Sequence, residues 1–247
     1  MIRIVSYNLH KGFSASGRAL VAEPIRAAIH GLNPDIAFFQ EIVGQNDMHG
    51  KKFPTWPKVP QHDYLKSDHL QHHCYGKNVV YPEGHHGNAI LSRVPVVNEE
   101  NVDITYHRFG KRGFLYAQFC FPNIEGHLHA ICVHLGLLEN ERLAQAKAIC
   151  DFVNKRLPKT APVLIVGDFN DWRQRVTKIM EKELQAKEAF LEHYGSHVRS
   201  FPAWLPFSRL DRVYYRNLAL KSCERPTGAP WTRLSDHLPL VADFDFI

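Results

Sequence analysis

The sequence of 247 residues lacks any run of ~18 apolar residues, so no transmembrane helix is expected. Its densest apolar stretches, Ala161–Val166 and Leu128–Leu138, are too short or too polar to span a bilayer. Paired cysteines are also missing. Cys74, Cys120, Cys132, Cys150 and Cys223 are odd in number, widely spread and without a CxxC pair, which excludes a disulfide framework and a cysteine-based zinc site. Reduced thiols packed as small apolar groups are the simplest reading, and they point to a cytoplasmic protein. Met1 to Tyr7 runs straight into a strand-like pattern, with no signal-peptide core or small-residue cleavage site. There is no repeat, no low-complexity tract and no Gly/Ser/Pro-rich linker, so one domain over residues 1–247 is expected. Charge of one sign does not dominate either. Thirty Lys and Arg against 25 Asp and Glu leave +5, a surplus compatible with an anionic partner but silent about fold.

What is present is ordinary globular composition, 45% hydrophobic and 22% charged, which excludes disordered and fibrous classes. Ile2–Tyr7, Ile36–Gln40, Asn88–Ser92, Phe114–Phe121, Leu128–His134, Val163–Gly167, Leu210–Tyr215 and Leu238–Phe246 read as strands, rich in β-branched and aromatic residues. Phe121 to Gly126 reads as a hairpin turn. Helical spacing appears at Ile25, Ile29 and Leu32, ending at Asn33-Pro34, and at Leu143, Ala146, Ile149, Val153 and Leu157, stopping at Pro158. Arg173–Phe190 is a third helical segment. Strands mixed with few helices predict an α/β sandwich of two packed sheets with helices outside. Gly44–His73, polar and carrying three prolines, reads as a long surface loop.

Polar residues collect where the strands end: Asn8, Gln40-Glu41, Gly167-Asp168-Phe169-Asn170 and Ser235-Asp236-His237. Ligands of α/β proteins gather outside the carboxyl ends of strands, so these termini are expected to converge on one crevice. Glu41, Asp236 and the Asn8 amide are hard oxygen donors of the kind that hold Mg²⁺. The histidines His62, His69, His72, His73, His85 and His86 raise the question of zinc. Adjacent pairs do not present two imidazoles to one face of a regular element, and no acidic partner is patterned with them, so zinc is not favoured. Asp211 could instead pair with Arg209 or Arg212 as a surface ion pair, and His134, which shares strand parity with Leu128, Ala130 and Cys132, could be a core histidine.

Taken in order, these segments resemble the endonuclease/exonuclease/phosphatase superfamily, the DNase I-like fold of small bacterial members among others. Asn8 opens the series and Glu41 matches the Q-E motif. Gly87-Asn88-Ala89-Ile90-Leu91-Ser92 matches the central strand motif, and His134-Leu135 the histidine motif. Asp168 and Asn170 match G-D-x-N, Asp211 matches L-D-x-V, and Asp236-His237 matches S-D-H. The resemblance implies a four-layered α/β sandwich of two mixed β-sheets flanked by helices. It implies Mg²⁺, with Mn²⁺ as a substitute, held by Glu41 with Asn8 and Asp236 completing or supporting the site. Asp211 would orient His237, and either Asp168 or His237 would act as the base toward water. Asn170 would donate to a phosphoryl oxygen, and His134 would meet the phosphate or the leaving oxygen. His86 and Asn88 would line the crevice. Read from the residues themselves, Arg112, close to Arg108 and Lys111, would steer phosphate beside an apolar wall at Phe201–Trp204, the alternative being a solvated basic turn and a core aromatic pair.

Abasic-site enzymes of the superfamily usually have Tyr-x-Pro-Asn where this chain has Val133-His134-Leu135, which counts against that role. The expectation is therefore a metal-dependent phosphodiesterase, monomeric and without a stable protein partner, acting on nucleic acid or on a phospholipid headgroup. A sphingomyelinase- or phosphoinositide-type enzyme and a non-catalytic binding module are the alternatives.

Overall fold

The structure is a computed structural model that describes residues 1–107, 110–122 and 126–247. Two six-stranded sheets face each other. The first is built from β1 (Ile2–Asn8), β2 (Ile36–Asn46), β3 (His72–Tyr81), β4 (Gly84–Ser92), β11 (Leu218–Glu224) and β12 (Leu240–Phe246) in the order β11-β12-β1-β2-β4-β3. The second contains β5 (Val96–Asp103), β6 (Gly113–Phe119), β7 (Leu128–His134), β8 (Val163–Asp168), β9 (Lys187–Glu188) and β10 (Asp211–Arg216), ordered β5-β6-β7-β8-β10-β9. Both sheets are mixed, because β1 pairs β2 and β7 pairs β8 in parallel while their other neighbours are antiparallel.

Three apolar cores explain the layering. Ile4, Phe38, Ile90, Ala130, Cys132, Leu164, Val166 and Val213 meet between the sheets. Val5, Tyr7, Ala37, Phe39, Ala89 and Leu91 face the other way, onto α1 (Ala22–Leu32) through Ile25 and Ile29 and onto α7 (Trp231–Leu234). Ile131, Val133, Ile165 and Tyr214 cover α4 (Glu139–Arg156) and α5 (Arg175–Leu184) through Ile149, Val153, Val176 and Met180. Strands buried on both faces need apolar residues at every position, which is why they read as continuous apolar runs. The four-layered sandwich of two mixed sheets flanked by helices is thus the observed fold.

Several boundaries differ from the sequence reading. Arg173–Phe190 is not one helix. Gln185 takes a left-handed φ of 56° and ends α5, after which Lys187–Glu188 joins the sheet and α6 (Ala189–Tyr194) begins. Tertiary pairing overrides helical periodicity here, because the buried Glu188 carboxylate accepts from Leu191 N, Val213 N and His197 Nδ1. Residues 44–73 are not simply a loop. β2 continues to Asn46, α2 (Asp47–Lys52) and α3 (Gln61–Tyr64) follow, and Gln61 is buried, accepting from Val43 N at 2.8 Å. Among strands the sequence reading passed over, β5 and β11 lie on or next to sheet edges and carry polar runs such as Asn98-Glu99-Glu100-Asn101, the composition that blunts an edge. The turn expected at Phe121–Gly126 includes residues 123–125, and the basic cluster includes Arg108; these lie outside the described residues. All five cysteines are free thiols, four of them buried. Among the described residues, no helix is long and apolar enough to cross a membrane.

Two buried imidazoles away from the strand ends tie the fold to pH. His129 stacks on Tyr116 and shares a hydrogen bond with its hydroxyl at 2.8 Å, and burial pushes it down to about 4. Burial likewise pushes His62 down to about 4, with His73 adding to it. A histidine depressed in the folded state contributes stability that is whole above its unfolded value near 6.5 and is lost as pH falls toward 4. Thermal melts between pH 7 and pH 4.5 should therefore show Tm falling by several degrees, and His129→Gln should flatten that fall.

Candidate active site

The inner-facing parity of each strand stays apolar along the middle of the sandwich and turns polar at one end. Ile4 is followed by Ser6 and Asn8, and Phe38 by Gln40. Cys132 gives way to His134, Val166 to Asp168, and Val213 is preceded by Asp211. Register then stacks the polar ends side by side. Asn8 lies opposite Gln40, His134 opposite Asp168, and Asp211 opposite Asp168. Gly167 permits the close approach of β7 and β8 at this end. It has a φ of 143°, and a Cβ there would sit 2.1 Å from the Val133 carbonyl oxygen.

Asp168 is the hub. Its Oδ1 accepts from Asn170 N at 2.9 Å, and its Oδ2 accepts from Asn8 Nδ2 at 3.2 Å. The same Oδ2 stands 3.6 Å from His134 Nε2 and 3.7 Å from His237 Nε2. On the far side of His237, Nδ1 is 2.8 Å from Asp211 Oδ2. That carboxylate also accepts from Ser200 Oγ at 2.5 Å, so it faces an imidazole and a hydroxyl. The alternative of an arginine partner is excluded, since Arg209 donates to the His197 carbonyl and Arg212 to the carbonyls of Asp211 and Asp171. Asn170 donates to the Leu135 carbonyl at 2.9 Å, which leaves its second N–H for other use.

Glu41 enters through a bulge. The β2–β4 register shifts between Phe39 and Ile42, and Glu41 takes a φ of 53°, an uncommon conformation that re-aims its side chain. Lys11 Nζ lies 3.7 Å from Glu41 Oε2, and His10 Nδ1 lies 3.9 Å from Asp236 Oδ1, so the His10-Lys11 turn joins the two carboxylates. His10, Lys11 and Ser200 were not singled out in the sequence. Ser200 reaches Asp211 through tertiary folding alone.

Of the residues expected to meet substrate, Arg112 donates to the Leu135 carbonyl at 3.3 Å beside His134, and His86 is half-buried with its Nδ1 unpartnered. Asn88 is buried, and its amide donates to the carbonyls of Gly113 and Cys132, so it ties the two sheets together.

Electrostatics separates the two imidazoles around Asp168. Burial alone would push His237 down, but the carboxylates of Asp211 and Asp168 outweigh it and hold it up at about 10. Burial pushes His134 down, and Arg112 adds to this against the pull of Asp168. One histidine is thus held charged and the other neutral, the kind of divergence that separates acid from base roles. Burial would raise Glu41, yet the basic groups around it, Lys11 and the charged His237 among them, hold it below the usual carboxylate range. His86 is pushed down to about 4 by burial and by Lys11.

Asp168, Asp211 and His237 lie close enough to grasp an ion, but an imidazolium has no lone pair to offer one. The ionised Glu41 and the partly exposed Asp236 fit a hard divalent cation better, since Mg²⁺ prefers one or two carboxylates with water and phosphate. The second grouping, His62, Asp63 and His73, supplies the acidic partner the sequence did not pattern. Lys66 Nζ already sits 2.9 Å from Asp63 there, where a cation would have to go.

A model of the Endonuclease/Exonuclease/phosphatase family matches residues 5–237. The chain is 39% identical over 244 residues to the uncharacterized protein YbhP of Escherichia coli (strain K12), covering 98% of this chain and 95% of that protein. It is similar in fold to the human Nocturnin catalytic domain with bound sulfate anion, with a TM-score of 0.75, 22% identity, and coverage of 100% of this chain and 93% of that one. It is also similar in fold to a mannosyl-6-phosphatase of Bacteroides thetaiotaomicron, with a TM-score of 0.71, 16% identity and full coverage of both chains.

Proposed function

The chain belongs to the endonuclease/exonuclease/phosphatase family, whose members typically hydrolyse phosphoester bonds, and from that premise we propose that it is a divalent-metal-dependent phosphodiesterase. The observation that carries this reading is the convergence of Asn8, His134 and His237 on one oxygen of Asp168, with Asp211 behind His237. A loose phosphoryl-type transition state spreads negative charge over its equatorial oxygens and needs aimed donors and one acceptor for the water proton.

Asp168, tethered by Asn170 N and Asn8 Nδ2, is the acceptor for that proton. His237 holds its own proton, so the base role falls to Asp168, and the His237 Nε2–H donates to a phosphoryl oxygen. Asp211 and Ser200 orient His237. His134, Arg112 and the free N–H of Asn170 meet the phosphate from the other side. Glu41 and Asp236, with Asn8 in support, would hold Mg²⁺ or Mn²⁺, which supplies charge neutralisation at the phosphate. The five free thiols support a cytoplasmic setting.

Hydrolysis of bis(p-nitrophenyl) phosphate with Mg²⁺, against a monoester control, tests the reading. EDTA should abolish turnover and added Mg²⁺ restore it. Glu41→Gln should raise the Mg²⁺ concentration for half-maximal activity by about tenfold or more, since even losing an outer-shell partner of a metal site costs about that much. Metal-independent turnover would overturn the assignment, as would a diester rate no better than that of buffer.

A further inference from the structure

Six large apolar side chains stand exposed on loops beside the cleft: Leu137, Leu138, Trp172, Trp204, Leu205 and Phe207, from 47% exposed for Trp172 to 69% for Trp204. Exposed apolar residues scattered singly need no explanation, but these fall on two tips on either side of the polar strand ends.

The first tip follows β7 and β8. The carbonyls of Gly136 and Leu137 accept from Arg142, whose guanidinium lies 4.2 Å from the centre of the Trp172 ring. The loop base is held further by Asn170 and Arg112, both donating to the Leu135 carbonyl. The second tip spans residues 201–208 and is closed by the Phe201–Ser208 bridge. Ala203 N donates to the Asp236 carbonyl at 2.7 Å, and the Phe201 ring lies 5.0 Å from the His237 ring. Both tips are thus anchored by the cleft residues themselves while their apolar side chains point to water. Lys111 and Arg112 flank the first tip, Arg112 through the Leu135 carbonyl, while Lys11 lies 3.7 Å from Glu41 and Arg173 pairs with Glu139, in a chain of net charge +5.

We propose that these two tips insert into an anionic phospholipid surface and bring the cleft down onto a lipid headgroup. The inference rests on the phosphodiesterase reading above and deepens it by naming the substrate class. Apolar side chains beside basic ones are the make-up of an interfacial anchor, in which burial of apolar surface adds to attraction for anionic lipid. The composition favours lipid over a nucleic acid strand. Tryptophan and phenylalanine can stack on bases, but Leu137, Leu138 and Leu205 offer no flat face for that purpose and bury well in acyl chains.

Flotation with phosphatidylcholine vesicles, with and without phosphatidylglycerol, tests this in EDTA, where no turnover occurs. The wild type should float with the phosphatidylglycerol vesicles and less with phosphatidylcholine alone. Leu137→Ser/Leu138→Ser and Leu205→Ser/Phe207→Ser should each weaken partitioning by about tenfold or more. Both variants should keep soluble diester turnover within about twofold of wild type, since these side chains face solvent. In the unsubstituted protein, vesicles should shift tryptophan emission to the blue, and brominated lipid should quench it. Absence of flotation, unchanged partitioning of both variants, or capture by a single-stranded oligonucleotide that the same variants lose would each overturn the proposal. Vesicle binding with no diester turnover would keep the surface and sink only the catalytic reading.

Discussion

Asp168→Asn is expected to lower diester turnover by roughly 10³-fold, with Tm within a few degrees of wild type. The substitution keeps the shape and nearly the volume of the side chain, and an amide oxygen can still accept from Asn170 N. It removes the acceptor for the water proton and the negative charge that His134 and His237 both face at under 4 Å. A general base contributes about 10²–10⁴ on its own, and the loss of a preorganised charge falls in the same range. Steady-state kinetics beside a thermal melt decides the matter. A variant that loses folding and activity together would make Asp168 a structural residue, and one that keeps full activity would remove it from the reaction.

The second large effect is expected at the Asp211–His237 pair. His237→Gln should cost on the order of 10²–10³ in kcat, the scale for one donor aimed at developing charge. Asp211→Asn should cost nearly as much, because the carboxylate at 2.8 Å from Nδ1 both orients the ring and keeps it charged. The double variant should then be little worse than His237→Gln alone, since residues acting as one unit are far from additive. Strictly additive losses in the cycle would mean that Asp211 acts separately from the imidazole. Ser200→Ala gives a milder check on the same unit, because it removes a hydroxyl donor from Asp211 and leaves the His237 contact in place. Its expected cost is about tenfold in kcat with KM unchanged.

The motif order from Asn8 to His237 and the apolar runs of the inner strands were legible because both are local properties of the chain. An inner strand of a two-sheet sandwich is apolar at every position, so Ile36 to Phe39 announces itself. Edge strands do not. Val96–Asp103 keeps polar residues because its outer edge must resist pairing with another chain. The segment after Leu184 misread as helix because its spacing is helical, while the partners that decide it, His197 and Val213, arrive from elsewhere in the chain. His134 shows how parity alone misleads. It does share the inward face with Ala130 and Cys132, as a core histidine would, yet the sheet ends there and the inward face becomes the wall of a cleft. Asn88 carries a second role that its motif did not show, since its amide spans two backbone carbonyls of the facing sheet.

By itself the sequence determined the family resemblance, the alternation of buried strands and helices, and the residue types able to hold a hard cation and a phosphate, because these depend on neighbours along the chain. Only the tertiary structure decided which carboxylate faces which imidazole, that Lys11 and His10 link Glu41 to Asp236, and that six apolar side chains flank the cleft. Those contacts depend on the register of parallel and antiparallel strands, and a shift of one residue would turn every inward side chain outward.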